Sequence, residues 1–180
     1  FRASQLVQSF KKVAVDQSSE ARRSFKVRGY LDEILLSLRP KLKRTRHIIE
    51  INGDPAVEMN SYPGAFSQVI TNLVMNSMVH GYDGEEDSGR FVIAFQPDGE
   101  DLLIDYTDDG KGIAPEHVPR IFDPFFTTKR GQGGSGLGLH LVYNIVSQSL
   151  RGTVSCASEP GRGVKFSIRV PLAPADEESH

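Results

Sequence analysis

Two pairs of alternating apolar and polar segments constrain the fold of this chain more than any other feature. The first pair, Arg90 to Phe95 and Leu102 to Tyr106, is separated by a Pro-Asp-Gly sequence. The second pair, Thr153 to Ala157 and Val164 to Val170, flanks a Pro-Gly sequence. Period-two alternation around such turns is typical of antiparallel hairpins with one buried face. The sequence therefore predicts an antiparallel sheet that needs a second layer to cover its apolar side.

Segments with apolar residues at helical spacing supply that second layer. Short strands are also predicted at Phe25 to Arg28, at His47 to Asn52 and at Val57 to Met59, the last pairing back on its predecessor. The sequence therefore predicts an α+β, two-layer sandwich with a mixed, mostly antiparallel sheet and helices on one face. The predicted helices are Phe1 to Gln17, Tyr30 to Arg44, Tyr62 to Val79 and Gly136 to Leu150.

The opening helix has apolar residues at Ala3, Leu6, Phe10 and Val13, the spacing of one seam of a helical bundle. Two heptads are marginal as an isolated helix in water. We therefore expect this helix either to be the end of a larger bundle or to pack on the domain. The polar residues from Asp16 to Arg23 predict a linker.

Composition excludes several classes of function. With 180 residues the chain is long enough for one domain, and its single cysteine, Cys156, excludes an internal disulfide and favours a reducing, cytoplasmic setting. No apolar run approaches the roughly 20 residues of a membrane-spanning helix, and we interpret the start at Phe1, without a signal peptide, as that of a piece of a larger protein. The basic stretch Arg39 to Arg46 has no aromatic residue for base stacking, so we expect a solvated helix face and no nucleic-acid partner.

The helix from Tyr62 to Val79 carries a polar stripe, because Gln68, Asn72, Asn76 and His80 recur every four residues. Solvated helix surfaces are normally rich in Lys, Glu and Arg, and this helix has no charged side chain. A carboxamide oxygen is a suitable ligand for magnesium, which shares its remaining sites with water and substrate phosphates. The stripe alone fits a solvent-facing edge and a ligand site about equally well.

The segment Asp108 to Ile113 has the sequence Asp-Asp-Gly-Lys-Gly-Ile and directly follows a predicted strand. Gly110 and Gly112 allow another backbone or a ligand to approach closely. A buried carboxylate at this position needs hydrogen-bond donors, and the exocyclic amine of adenine is a suitable one. Calcium loops and ordinary turns use similar residues, so this motif is weak when taken alone.

A second glycine-rich segment, Gly133 to Leu139, opens directly into an apolar helix. Unpaired amides at a helix start favour an anion such as a phosphate, and Gly136 and Gly138 let the chain pass close to a nucleotide. No Lys-Ser or Lys-Thr pair follows, so the segment is not a P-loop. A flexible linker is disfavoured by the apolar helix that follows without a break.

The segment Ile121 to Gly131, named the lid segment below, lies between these two motifs. Phe122, Phe125 and Phe126 are followed by polar residues that end in glycine, which fits a lid anchored at one end. We expect Lys129 to lie near a phosphate. The phenylalanines are at the same time suitable as ordinary core residues.

In this order the motifs resemble those of the catalytic ATP-binding domain of sensor histidine kinases, in the superfamily shared with DNA gyrase, heat-shock chaperone ATPases and mismatch-repair ATPases. The resemblance spans about Phe25 to Leu172. It implies a Bergerat-type ATP-binding fold for residues 21–172, the end of a dimerisation helix with its linker at 1–20, and a polar tail at 173–180. The matching motifs are the asparagine box at Asn72 to Asn76, the first glycine box at Asp108 to Ile113, the phenylalanine box at Phe122 to Phe126, the second glycine box at Gly134 to Leu139, and the last glycine box at Gly161 to Phe166.

The resemblance implies that Asp108 recognises the adenine amino group and that Asn76 ligates magnesium. Asn72 and His80 would add contacts on the phosphate side, and the second glycine box with the lid segment would embrace the triphosphate. The implied nucleotide-binding residues are Asn72, Asn76, His80, Asp108, Gly110, Gly112, Ile113, Phe122, Thr128, Lys129, Gly134, Ser135, Gly136, Leu137, Gly138 and Leu139.

The resemblance further implies ATP and magnesium as cofactors and transfer of the γ-phosphoryl group to a histidine on a dimerisation helix. None of the five histidines lies in a heptad-patterned helix beside an acidic residue, so we expect the phosphoacceptor outside this chain and no self-phosphorylation. The implied partners are the dimerisation and phosphotransfer helices of a homodimeric parent protein and a response-regulator receiver domain. Whether that parent is anchored in a membrane stays open.

Asn72 separates a kinase from a hydrolase within this superfamily. Gyrase-like ATPases have a Glu four residues before the magnesium-binding Asn as a general base for water, and a carboxamide cannot take a proton at neutral pH. Val164, where many relatives have Thr, removes a hydroxyl from the adenine end. Two alternatives remain: a clamp-type ATPase, and a regulatory nucleotide-binding module that sequesters a partner protein.

Overall fold

The computed structural model describes residues 2–19, 21–84, 86–132 and 134–174. Gly133 and most of the predicted polar tail therefore lie outside the described residues. In chain order the elements are α1 Arg2–Ser18, β1 Arg23–Lys26, α2 Val27–Leu42, β2 Ile48–Asn52, β3 Glu58–Ser61, α3 Pro63–His80, β4 Arg90–Asp98, β5 Asp101–Asp108, α4 Gly138–Asn144, β6 Thr153–Ser158 and β7 Val164–Pro171. A 3-10 turn at Val118–Arg120 follows β5, and a π-helical turn at Ile145–Ser149 extends α4.

Five strands form the main sheet in the order β2-β4-β5-β7-β6. Both predicted hairpins are confirmed as the antiparallel pairs β4–β5 and β6–β7, while β2 runs parallel to β4. The first hairpin is tighter than predicted, because Gly99 adopts φ +62° and turns the chain with Glu100. Pro97 and Asp98 consequently belong to β4.

Helices cover one face of this sheet, and the core lies between the two layers. Residues alternate along the strands, so that Phe91, Ile93 and Tyr106 are fully buried while their neighbours point outward. The outward face carries ion pairs such as Lys165 with Asp105 at 3.0 Å. The predicted α+β two-layer sandwich is therefore confirmed. The buried residues that α3 contributes include Phe66, Val69, Ile70, Leu73 and Val74.

The predicted pairing of Val57 to Met59 with the preceding strand is wrong. Strand β3 pairs antiparallel with β1, which places Phe25 opposite Met59. Both side chains are buried, and the Phe25 ring lies 5.1 Å from that of Tyr30 and 5.8 Å from that of Phe66. Burial of this aromatic cluster decides the partner of β3. Helix α2 begins at Val27, so the strand predicted at Phe25 to Arg28 lies two residues too late.

Helix α1 packs against α2 and α3, with Val13 in the core. Lys12 Nζ lies 2.7 Å from Glu33 of α2, and Arg23 pairs with Asp16 at 2.9 Å. The helix thus packs on the domain, and it extends to Ser18 into the predicted linker. The side chains of Ala3, Leu6 and Phe10 lie outside what the structure describes. Within the described part of the chain, every helix is too short or too polar to span a membrane.

Candidate functional site

A cleft opens between the C-terminal half of α3, the loop after β5 and the start of α4. It consists of two adjoining cavities of about 680 and 630 Å³, volumes that include space open to solvent. Asp108 lies in the first cavity, and Asn72 with the second glycine box lies in the second. Both cavities are lined by Asn76, His80, Ile121, Phe126 and Leu139.

The structure brings most of the predicted site residues to this cleft. Four of them line neither cavity: Gly110, Phe122, Lys129 and Leu137. The predicted residues that line the first cavity are Asn76, His80, Asp108, Gly112, Ile113, Thr128 and Leu139, and those that line only the second are Asn72, Gly134, Ser135, Gly136 and Gly138.

Asp108 is a carboxylate held by donors from three parts of the fold. Its side chain is buried, with 7% of the residue exposed. Oδ1 accepts the backbone N–H of Gly110 at 3.0 Å and that of Val164 at 3.2 Å, and Oδ2 accepts the Ser77 hydroxyl at 2.5 Å. Three donors compensate for much of the cost of removing a carboxylate from water. Asp108 is therefore an oriented, acceptor-only group at the floor of the first cavity.

Ser77 connects this carboxylate to the core. Its oxygen accepts the hydroxyl of Tyr106 at 2.9 Å, and both residues are almost fully buried. Burial raises the pKa of Tyr106 well above its usual value, so the phenol stays protonated and donates. Tyr106, Ser77 and Asp108 thus form one chain of hydrogen bonds that ends at the cleft.

The two glycines of the first glycine box pack backbone against backbone. A Cβ on Gly110 would lie 2.6 Å from the carbonyl oxygen of Gly81, and one on Gly112 would lie 2.1 Å from that of Glu159. The N–H of Lys111 donates to the Gly81 carbonyl at 2.8 Å. Gly110 therefore does not line the cleft. Its role is to let the loop after β5 pack closely against the end of α3, which supports the cleft wall.

Three of the four residues of the polar stripe on α3 line the cleft, and they are Asn72, Asn76 and His80. The Asn72 amide donates to the Gln68 carbonyl at 2.8 Å, which leaves its oxygen directed towards Gly138 of the second glycine box. Asn76 lies one turn further along, between the two cavities. Within the described residues its carboxamide has no hydrogen-bond partner, so its oxygen is available to a ligand.

His80 ends the stripe as a neutral imidazole. Burial lowers its pKa below the usual 6.5, and the charges of Lys129 and Lys111 act in the same direction. His80 lines both cavities, together with Thr127 and Thr128 of the lid segment in the first and with Gly134 in the second. At neutral pH His80 can therefore donate one hydrogen bond to a ligand and accept another.

The second glycine box closes the cleft from the side of α4. Gly136 has φ +72°, and its carbonyl accepts the N–H of Phe125 at 2.8 Å. This bond joins the box to the lid segment. Leu137 precedes the first residue of α4 and is 41% exposed.

Lys129 does not point towards the cleft. Its Nζ donates to the Val79 carbonyl at 2.6 Å and approaches the Tyr82 carbonyl at 3.5 Å, at the C-terminal end of α3. A cation is favourable there because the last carbonyls of a helix are unpaired and partially negative. Phe122 is likewise directed inward, with its ring 5.6 Å from that of Tyr143 and 6.3 Å from that of Phe166. The structure therefore gives Lys129 and Phe122 structural contacts.

Several cleft residues were not predicted from the sequence. Ser77 directly follows Asn76, but the sequence does not distinguish it from other small residues of α3, and only the structure shows that its hydroxyl is buried and needs a partner. His117 and Phe126 pack ring to ring at 5.4 Å and form part of the cavity wall. Their position depends on how the loop after β5 folds back, which no local pattern shows. The other unpredicted residues of the first cavity are Gly81 and Ala114. Ile121 and Thr127, which also line it, belong to the lid segment, and Val164 was named at the adenine end.

Known proteins share both the sequence pattern and the fold. The chain is 33% identical to the sensor histidine kinase RcsC of Escherichia coli over 169 residues, which is 91% of this chain but only 17% of that protein. Its structure resembles the nucleotide-free catalytic domain of histidine kinase ThkA with a TM-score of 0.74 at 24% identity, covering 86% of this chain and 97% of that one. Full-length ShkA in complex with AMPPNP gives a TM-score of 0.72 at 21% identity, covering 96% of this chain and 37% of that one.

A family model described as histidine kinase-, DNA gyrase B- and HSP90-like ATPase matches residues 62–174. That range contains α3, both glycine-rich segments, the lid segment and both hairpins of the main sheet. It thus includes every residue of the cleft described above and more than half of the chain. The chain therefore belongs to the family of histidine kinase-, DNA gyrase B- and HSP90-like ATPases, and its sequence relatives are sensor histidine kinases.

Proposed function

We propose that this chain is the catalytic ATP-binding domain of a sensor histidine kinase. It binds magnesium-ATP in the cleft and transfers the γ-phosphoryl group to a histidine on a dimerisation helix outside these residues. The observation that carries the proposal is the buried, acceptor-only carboxylate of Asp108 at one end of a cleft whose other end is made of amide side chains and a glycine-rich segment.

The first cavity suits a purine. Apolar side chains from three parts of the fold line it, Ile113 from the β5 loop, Leu139 from α4 and Val164 from β7. Apolar walls around one oriented acceptor fit an aromatic ring that carries an amino group. In the proposed complex Asp108 accepts a hydrogen bond from the adenine 6-amino group, and these side chains contact the ring faces.

The second cavity suits the phosphates and the ion. Asn76 would supply a carboxamide oxygen to magnesium, and the remaining sites of a hard cation are normally filled by phosphate oxygens and water. Among the described residues no three His, Cys, Asp or Glu side chains cluster as metal ligands, which fits an ion held jointly by one Asn and the nucleotide. Asn72, His80 and the amides around Ser135 would contact the phosphates.

Transfer to a protein side chain is favoured over hydrolysis because the cleft lacks a base at the relevant position. Asn72 is a carboxamide, and its amide hydrogen is already bonded to the Gln68 carbonyl. A neutral amide does not activate water. Phosphoryl transfer then depends on placing an in-line nucleophile and on neutralising the charge that develops on the phosphate oxygens. In the proposed reaction the nucleophile is the imidazole of the dimerisation helix.

Calorimetric titration with AMPPNP, with and without magnesium, tests the binding step. Asp108→Asn places an amide N–H, a hydrogen-bond donor, where the adenine amine needs an acceptor. We therefore expect the Kd for AMPPNP to rise about 10- to 150-fold, as for loss of a hydrogen bond to a charged group. The matched control is Asp105→Asn on the outer sheet face, which we expect to change the Kd less than 2-fold. Failure of the wild type to bind, or equal effects of the two variants, would contradict the proposal.

Transfer is tested with the separately purified dimerisation helix pair of the parent kinase and radiolabelled ATP. We expect label on the helix pair that acid removes and alkali does not, as for a phosphohistidine, and none on this chain alone. If the wild type binds AMPPNP but a folded helix pair of its own parent takes no label, the regulatory nucleotide-binding alternative is favoured. The homodimeric parent, its cytoplasmic location and a receiver-domain partner belong to the same proposal.

A further inference from the structure

The carboxylate of Asp108 is fixed by a buried chain of hydroxyl groups that the sequence motifs do not include. Tyr106 lies in the middle of the sheet and is fully buried, and Ser77 on α3 is 1% exposed. The phenol donates to Ser77 at 2.9 Å, and Ser77 donates to Asp108 at 2.5 Å. This chain of hydrogen bonds therefore crosses from the sheet layer to the helix layer and ends at the cleft.

The direction of both protons in this chain follows from the groups involved. An ionised carboxylate only accepts, so the Ser77 proton points at Asp108 in a bond that the charge strengthens. The phenol of Tyr106 then donates to a lone pair of the Ser77 oxygen. The Ser77 hydroxyl, which lines the first cavity, consequently has no proton left to offer a ligand.

The number of acceptor positions on Asp108 limits what a ligand can do there. A carboxylate has about four lone-pair positions, and three are filled, two on Oδ1 by backbone amides and one on Oδ2 by Ser77. One position on Oδ2 remains beside the Ser77 bond. Because both this oxygen and Ser77 present only acceptor positions, this end of the cavity can pair with an amino group and opposes a carbonyl.

We propose that Ser77 and Tyr106 are positioning residues that make the cleft select a 6-aminopurine over a 6-oxopurine. This inference rests on the proposed ATP-binding function and adds a source for its base specificity. Asp108 supplies the contact to the base. The two hydroxyls fix which lone pair of Asp108 meets the base and keep a competing donor out of the cavity.

The test compares dissociation constants for the magnesium complexes of AMPPNP and GMPPNP, measured by displacement of a fluorescent ATP analogue. Tyr106→Phe keeps the ring but removes the hydrogen bond that fixes the Ser77 hydroxyl, so Ser77 no longer holds Asp108 Oδ2 in one orientation towards an amino group. We expect the ratio of the GMPPNP to the AMPPNP Kd to fall about 3-fold, as for one neutral hydrogen bond. Ser77→Ala leaves space for a water that can donate to either base, and we expect that ratio to fall about 10-fold.

The double variant separates a chain acting in series from two independent effects. If Tyr106 acts through Ser77, adding Tyr106→Phe to Ser77→Ala changes the ratio no further. Independent contributions would multiply the two falls to about 30-fold, which contradicts a chain in series. The matched control is Ser67→Ala, a buried serine of the same helix whose hydroxyl bonds the Gly64 carbonyl away from the cleft. We expect no change of the ratio there.

The outcomes distinguish this inference from the proposed function. If the wild type binds neither nucleotide, the proposed function fails. If the wild type prefers AMPPNP and the variants weaken both nucleotides in parallel, the hydroxyl chain is merely structural and the inference is wrong. Should Ser77→Ala unfold, as circular dichroism would show, the nearly isosteric Tyr106→Phe decides alone, because an unchanged ratio in that variant overturns the inference.

Discussion

Replacement of Gly163 by alanine tests whether the junction of β5 and β7 positions Asp108. Gly163 has φ +76°, and a Cβ there would lie 1.9 Å from the carbonyl oxygen of Asp108. Since real Cβ atoms keep at least 3.0 Å, the two backbones must separate by about 1.1 Å. The residue that would move with them is Val164, whose N–H donates to Asp108 Oδ1.

The expected cost has two parts. A left-handed conformation costs an L-residue roughly 1–2 kcal/mol, and weakening a hydrogen bond to a carboxylate adds about 1.5–3 kcal/mol. Gly163→Ala should therefore lower the free energy of unfolding by about 3–5 kcal/mol, which in a domain of this size corresponds to a fall in Tm of about 6–20 °C. A displacement near 1 Å should also raise the Kd for AMPPNP more than about 10-fold.

Gly161 in the same turn is the matched control. Its φ of +79° is nearly the same, but a Cβ there would have no atom within 4 Å. Gly161→Ala should thus cost only the roughly 1–2 kcal/mol of the backbone conformation and change the Kd less than about 2-fold. Urea unfolding and calorimetry measure both quantities. Equal destabilisation by the two variants, or an unchanged Kd in Gly163→Ala, would refute the steric argument.

Three further measurements follow from single side chains. Because burial lowers the pKa of His80 below 6.5, the unfolded chain binds more protons than the folded chain as pH falls through 6.5. The free energy of unfolding, measured by urea titration, should therefore fall from pH 7.5 to pH 5.5. His80→Gln should make that fall shallower. Lys129→Met removes the bond to the Val79 carbonyl, so we expect a loss of about 0.5–1.5 kcal/mol and faster amide exchange in the lid segment, and unchanged exchange would contradict this. Burial raises the pKa of Cys156 to about 12, so an aromatic disulfide reagent at pH 8 should label the native thiol far more slowly than the urea-unfolded one, and equal rates would show that it is accessible.

Local patterns in the sequence predicted the helices and hairpins because each depends on neighbouring residues. The bounds of α3 and of both hairpins differ from the prediction by only a few residues, since period and turn chemistry are both visible in the sequence. The partner of β3 was not visible, because it depends on the packing of Phe25 with residues more than 30 positions away. The parallel pairing of β2 with β4 has the same cause.

The sequence likewise predicted only part of the candidate site. Residues proposed to contact the nucleotide directly, such as Asp108 and Asn76, form recognisable motifs and do line the cleft. Residues that act by contact with the protein itself carry no such signal. Ser77 looks like any small residue on a helix, and Lys129 in a polar segment gives no sign that its charge lies at the end of α3. Both depend on long-range contacts that only the folded chain makes.

The donors to Asp108 explain why recognition in this cleft depends on the whole fold. They come from α3, from the turn after β5 and from the first residue of β7, which are separated by up to 87 positions in the sequence from Ser77 to Val164. A peptide containing only the first glycine box would have the carboxylate but only one of its three donors. The orientation of the free lone pair therefore exists only when the helix layer and the sheet layer are packed together, so any ligand that uses it must bind the folded state in preference to the unfolded one. Nucleotide binding should accordingly stabilise both layers as one unit, even though the proposed ligand site meets the sheet only at the end of β5 and the start of β7.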